Sequence, residues 1–136
     1  MPDTAPSPTT VAPAFDPYVR GCPTRLLLDR IGDRWTVLVV GVLARGDEPV
    51  RYSAIGHDVE GISQKMLTQT LRNLERDGLV VRTVHAQVPP RVDYRLTDLG
   101  RSLHEALAVL EEWSVDHMPD VLGAREEFDE GATASR

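Results

Sequence analysis

The stretch "GISQKMLTQTLRNLERDGLVVR", residues 61–82, decides the fold. Gly61 is a turn residue, and Ser63 is placed to cap a helix by accepting from an early backbone N–H. Ile62 and Leu67 stand at the two positions of a hydrophobic staple. Leu67, Leu71 and Leu74, helped by Met66, recur at helical spacing and predict a buried stripe. Gln64, Lys65, Thr68, Gln69, Arg72, Asn73 and Arg76 take the opposite side. Gly78 ends the helix. The period then changes from about 3.6 to 2. "LVVRTVH" (79–85) and "RVDYRLT" (91–97) alternate and predict two short strands joined by "AQVPP". Pro89 and Pro90 fit an exposed hairpin tip and disfavour a central strand there.

Upstream, Cys22-Pro23 opens a short helix over about 23–31, since proline is tolerated in a first turn. Gly32 ends it. Asp33 caps the next helix, whose apolar stripe is Trp35, Leu38, Val39, Val42 and Leu43. Trp35 reads as a core anchor. Gly46 stands as the residue just past that helix, with Pro49 beyond. "VRYSAIGHDV" (50–59) predicts a third, shorter helix with Tyr52 and Ile55 inward. Downstream, Thr97 caps a last helix. Its stripe of Leu99, Leu103, Ala106, Leu107, Leu110, Trp113 and His117 runs to about Pro119. That is more apolar face than one small domain buries.

The order is helix, helix, helix-turn-helix, two-stranded hairpin, long helix. The fold class is therefore mainly α with a small β-hairpin (α+β): a winged helix-turn-helix domain with a long C-terminal dimerisation helix. Residues 1–18, rich in Pro, Thr and Ala, read as a disordered arm. Residues 19–119 form the winged domain with its dimerisation helices. Residues 120–136 read as an acidic flexible tail.

The formal charge is −6, but it is unevenly spread. Residues 49–101 hold eight Lys/Arg against six acids, a net of +2, while residues 102–136 carry two Arg against nine acids, a net of −7. An acidic total therefore does not exclude a polyanionic partner. The major groove of B-DNA admits one helix and offers donors and acceptors that Arg, Lys, Gln and Asn read in pairs. Gln64, Lys65, Thr68, Gln69 and Arg72, in the first turns, are placed for base edges, and Ser63 and Thr68 for phosphates. Arg82, Arg91 and Arg95 arm the wing, and Arg91 follows the Pro-Pro tip directly. A polar outward face is ordinary for an amphipathic helix. Its position after a tight turn and before a basic hairpin is what marks this one. Glu75 and Asp77 offset Arg72 and Arg76, so one copy binds weakly and two are needed. Leu103, Leu107, Leu110 and Trp113, with the N-terminal helix, are the candidate homodimer surface.

The single cysteine, Cys22, leaves no intramolecular disulfide and no multi-Cys zinc site, and suits a reducing cytoplasm. The N-terminus lacks a secretory signal, and no apolar run reaches membrane-spanning length. His57, His85, His104 and His117 show no metal spacing, and there is no phosphate loop or nucleophile motif. The sequence thus calls for no cofactor, no metal, no membrane and no catalysis.

Three blocks, "CPTRLLLDRIGDRWTVLVVGVL", "GISQKMLTQTLRNLERDGLVVR" and "VPPRVDYRLTDLGRSLHEAL", resemble the HxlR-type family of bacterial winged helix-turn-helix regulators, relatives of the MarR group. The resemblance spans about residues 20–118. It implies a dimeric transcription factor on an inverted-repeat operator of double-stranded DNA, with "SQKMLTQTLR" similar to the recognition helix and "VPPRVDYRLT" to the wing. Asp33-Arg34 departs from the Gly-Lys or similar pair common before the family's Trp. Cys22 stands where the family carries a Cys-Pro cysteine that in several members senses quinones, aldehydes or oxidants. Helix N-termini and nearby basic groups, here Arg20 and Arg25, favour a thiolate. Cys22 is thus a candidate thiol sensor for an electrophile or other small-molecule effector, with an inert packing role as the alternative. Two other readings stay open: a winged helix that binds protein, and a regulator controlled by a small ligand without thiol sensing.

Overall fold

The computed structural model describes residues 15–134; the arm expected over residues 1–18 lies largely outside them. Asp33 starts the central helix, accepting the Trp35 N–H at 3.2 Å, and Ser63 starts the quoted one, accepting the Met66 N–H at 3.1 Å. The elements in order are α1 Pro23–Ile31, α2 Arg34–Leu43, β1 Val50–Arg51, α3 Tyr52–Asp58, α4 Gln64–Arg76, β2 Val80–His85, β3 Arg91–Leu96 and α5 Asp98–Ala134.

Helix α2 is the centre, packed against α1, α3, α4, α5 and β3. Val39, Val40, Leu43, Ile55, Leu67, Leu71 and Leu74 are fully buried around it. The expected Leu67–Leu71–Leu74 stripe is in place, joined by Thr70. On α2 the stripe is rotated: Thr36 and Val40 face inward, while Leu38 is 43% exposed. Nearly every side of "RWTVLVVGVL" is apolar, so periodicity could not choose its inward face. Trp35 is half-buried against the core, with the Arg34 guanidinium 4.5 Å from its ring centroid. That cation–π contact gives the Asp33-Arg34 pair a local packing role.

Turns behave as their residues require. Gly61 and Gly78 have φ of +90° and +76°. At the end of α4 the Gly78 N–H bonds the Glu75 carbonyl and the Leu79 N–H bonds the Leu74 carbonyl, the paired bonds of a Schellman cap. Gly46 does not play that part: α2 closes at Ala44 in ordinary right-handed geometry.

Three expectations need correction. Residues 50–51 are not helical. Val50 and Arg51 pair antiparallel with Tyr94 and Asp93, so the sheet has three strands in the order β1-β3-β2. Two residues are too few for alternation to reveal a strand. The last helix does not stop near Pro119: residues 120–134, expected within an acidic flexible tail, continue it as helix. Pro119 removes one helix hydrogen bond, yet the following Ala, Leu, Glu and Arg residues are strong helix formers. Finally, Leu107 is only 7% exposed in the single protomer and belongs to the domain's own core, with Leu103 half-buried beside it. Of the four residues assigned to dimerisation, Leu110 and Trp113 remain open, at 58% and 54%.

Thr97 ties α4 to α5: its hydroxyl donates to the Gly78 carbonyl at 2.7 Å and accepts the Gly100 N–H at 3.0 Å. Gly100 then lies against the Leu79 backbone, where an added Cβ would overlap the carbonyl oxygen. Helix propensity favours Ala over Gly by about 1 kcal/mol. A backbone clash costs more, toward or beyond the top of the roughly 1–3 kcal/mol seen for overpacking. Gly100→Ala is therefore expected to lower stability in urea titration, and an unchanged or raised midpoint would contradict this packing.

Candidate nucleic-acid interface

The outward residues of α4 are where periodicity placed them. Gln64, Lys65, Thr68, Gln69 and Arg72 are exposed and, with Asn73, line one open concavity of about 610 Å³. Ser63 is also exposed at the helix start, but its oxygen already serves the Met66 N–H. Thr68 is engaged as well. Its Oγ1 lies 2.7 Å from the Tyr52 hydroxyl, which is 3.1 Å from the Gln64 carbonyl. One arrangement satisfies both contacts: Tyr52 donates to Gln64 and accepts from Thr68. The Thr68 hydroxyl then works inside the domain and offers a groove its lone pairs and methyl group.

The acids thought to offset α4 are unequal. Asp77 is held by Arg30 of α1, whose Nη1 donates to both carboxylate oxygens at 2.9 and 2.7 Å. Its charge is thus neutralised from within the domain and not by Arg72 or Arg76. The same pair fixes α1 to the C-terminal end of α4. Arg76 sits in the last turn of α4 and is exposed.

The wing arginines divide. Arg82 and Arg95 are exposed. Arg91 is half-buried, its Nη2 3.2 Å from Asp93 Oδ2 and 3.2 Å from His85 Nε2, while His85 Nε2 is 2.9 Å from the same Asp93 oxygen. With Nε2 protonated, His85 and Arg91 both donate to Asp93. Asp93 is 6% exposed, and its Oδ1 and Arg91 Nε are buried without a hydrogen-bond partner among the described residues. Arg91 is therefore braced along the hairpin and does not project from the tip. The tip carries the fully exposed Val88. Sequence reasoning passed over Asp93, Tyr52 and Arg51. The i, i+2 spacing from Arg91 to Asp93 on a strand was the available signal for the first. Burial pushes the Tyr94 phenol above its ordinary value of 10.0, with the hydrogen-bonded Arg82 guanidinium pulling the other way, and Tyr94 stays neutral at physiological pH.

Cys22 is buried and stands at the N-cap of α1, with Pro23 in the first turn. Leu26, Leu27 and Leu28 of α1 are exposed. An apolar cleft of about 460 Å³ between Pro23, Leu27 and Ile31 on one side and Leu79, Leu99 and Leu103 on the other joins α1 to the start of α5. Among the described residues no helix is long and apolar enough to cross a membrane.

A capped helix with an open polar face, a tight glycine turn before it and a three-stranded sheet with a basic hairpin after it define a winged helix-turn-helix protein. Residues 30–121 match the HxlR-like helix-turn-helix family, and the chain belongs to it. It is 38% identical over 110 residues to the uncharacterized HTH-type transcriptional regulator YtfH of Escherichia coli (strain K12), covering 81% of this chain and 86% of that one. It also superposes on the structure of ytfH from Salmonella typhimurium with a TM-score of 0.76 at 38% identity, over 80% of this chain and 96% of that one. The redox regulator HypR in its oxidized form is similar as well, with a TM-score of 0.62 and 38% identity over 70% of this chain and 96% of HypR. The chain is thus a transcriptional regulator of the helix-turn-helix type.

Proposed function

We propose that the protein acts in the cytoplasm as a homodimer that places α4 of each protomer in successive major grooves of an inverted-repeat operator. The observation that carries this reading is the open polar face that Gln64, Lys65, Thr68, Gln69, Arg72 and Asn73 share on α4, the helix that a basic hairpin follows. In it Gln64, Lys65, Gln69 and Arg72 read base edges, Thr68 presents its methyl group, and Ser63 marks the helix N-terminus at the backbone. Arg82 and Arg95 meet phosphates from the wing, and Arg91 does so from its braced position. Dimerisation uses α5 beyond Leu107, at Leu110 and Trp113, together with α1. Gel-shift titration against the DNA upstream of the chain's own gene tests the proposal. Sequence-specific binding with a steep loss in salt is expected. Indifference to sequence and salt, with capture of a protein partner instead, would favour a protein-binding winged helix.

A second reading, control through Cys22, is favoured by the route from that residue to the DNA surface. Cys22 caps α1, and Arg30 near the other end of α1 clamps Asp77 at the end of α4. Modification of the thiol moves α1, and α1 moves the recognition helix. Since Cys22 is the only cysteine, any protein–protein disulfide joins two protomers. Diamide or a quinone is expected to lower the operator affinity of the wild-type protein several-fold and to leave Cys22→Ser unchanged. Equal responses from the two proteins would remove Cys22 from regulation and leave a small-ligand effector as the alternative.

A further inference from the structure

Between the start of α3 and the hairpin lies a second cavity, of about 420 Å³, lined by three arginines, Arg51, Arg82 and Arg91, together with Tyr52, Ser53 and Tyr94. Arg51 stands opposite Asp93 across β1–β3 and Arg82 opposite Tyr94 across β2–β3, so the two arginines leave the sheet from alternate faces, and the length of their side chains, not the register, brings both to one cavity. No carboxylate lines the cavity. Of its three cations, only Arg91 has an ion pair among the described residues, to Asp93 beneath it. Arg82 is hydrogen-bonded to the Tyr94 phenol and makes no ion pair among the described residues. Arg51 is exposed and carries its full charge at the cavity edge. Three arginines against the one carboxylate of Asp93 leave an excess of positive charge that suits an anion, and the planar fork of arginine matches the paired oxygens of a phosphate.

Tyr52 links the cavity to the outward face of α4: it lines the cavity, and its hydroxyl contacts Thr68 and the Gln64 carbonyl on α4. We infer that this cavity seats a backbone phosphodiester of the bound DNA, the one between the major groove that receives α4 and the groove that meets the wing. Arg51 of β1 is its principal ligand. The inference rests on the reading of α4 as a recognition helix, and it adds to that reading a contact from outside the helix and outside the wing.

A phosphate contact and a base contact leave different marks. Each phosphate neutralised contributes about 0.9 to the slope of log K against log salt, whatever the sequence. The test is fluorescence anisotropy of the full chain and its Arg51→Ala and Arg51→Lys variants, titrated against an operator duplex and a scrambled duplex across a salt series. Arg51→Ala is expected to weaken both duplexes by the same factor and to reduce the slope by about 0.9 for each protomer bound. Arg51→Lys recovers the slope and part of the affinity, because a lysine still neutralises the phosphate without the bidentate fork. Arg51 is exposed, so thermal melts of the variants should overlay the wild type. An unchanged slope in Arg51→Ala overturns the phosphate seat alone, and so does a loss confined to the operator, which would make Arg51 a base reader. Saturable binding of inorganic phosphate that Arg51→Ala abolishes, with the DNA slope intact, would assign the cavity to a small anion and overturn it too. Wild-type protein that binds neither duplex overturns this inference and the operator reading together.

Discussion

The doubly substituted protein Lys65→Ala, Arg72→Ala is expected to lose operator binding by roughly 30-fold to more than 10,000-fold while its oligomeric state and melting temperature stay put. The range comes from about 1–3 kcal/mol for each well-made base contact, with tenfold per 1.4 kcal/mol. Lys65 and Arg72 are seven residues apart, close to two turns, and so point from the same side of α4 about 10 Å apart along its axis. Both line the same concavity and both are exposed. Neither belongs to an ion pair among the described residues; the nearby pair is Arg30 with Asp77. Truncating them therefore removes no contact that holds the domain together, and circular dichroism should show an intact fold. The loss should be much larger on the operator than on scrambled DNA, in contrast to the uniform loss expected of Arg51→Ala. Variants that bind the operator as the wild type does would sink the assignment of α4 as the reading element.

That contrast also shows which parts of the site were legible in the sequence. The α4 surface was readable because a single 3.6 period sorts its residues: Leu67, Leu71 and Leu74 inward, the polar set outward. Ser63, Gly61 and Gly78 mark its limits by local chemistry that needs no tertiary partner. Arg51 was not readable, because its neighbours Arg82 and Arg91 arrive from strands thirty and forty residues away, through a two-residue strand that leaves no periodic trace. The bracing of Arg91 by Asp93 and His85 was hidden for a related reason. A charged residue after a proline tip reads as projecting, and only the cross-strand pairing shows a carboxylate beneath it. In α2 the difficulty was an excess of apolar residues, so the period had no polar face to set its phase, and Leu38 was placed wrongly. In α5 a proline outweighed the helix-forming residues after it, and the helix was ended early.

Replacing Leu110 and Trp113 together by Glu is expected to convert the proposed dimer to a monomer of 15.1 kDa and to abolish tight operator binding. Past Leu107, α5 keeps an apolar face left exposed among the described residues, with Val109 and Leu110 followed by Trp113. The Trp113 ring is stacked on His117 at a centroid distance of 4.7 Å, and His117 Nδ1 lies 2.9 Å from the Trp113 carbonyl oxygen. Each large apolar side chain buried is worth about 1.5–3 kcal/mol, and a two-fold interface counts every substitution twice, so the change removes roughly 6–12 kcal/mol. A micromolar to nanomolar dimer is held by about 8–12 kcal/mol, which such a loss largely cancels. Glutamates on an already acidic segment add repulsion between the two copies. Leu107→Ala is the counterpart that separates interface from core: with its side chain already buried inside one protomer, it should cost about 2–5 kcal/mol of folding stability. Light scattering after size exclusion, read beside urea titration, distinguishes the two. If the Leu110→Glu, Trp113→Glu protein still runs as a dimer, the face of α5 beyond Leu107 is not the dimer contact. A monomer that still binds the operator tightly would show that one copy of α4, with its wing, suffices.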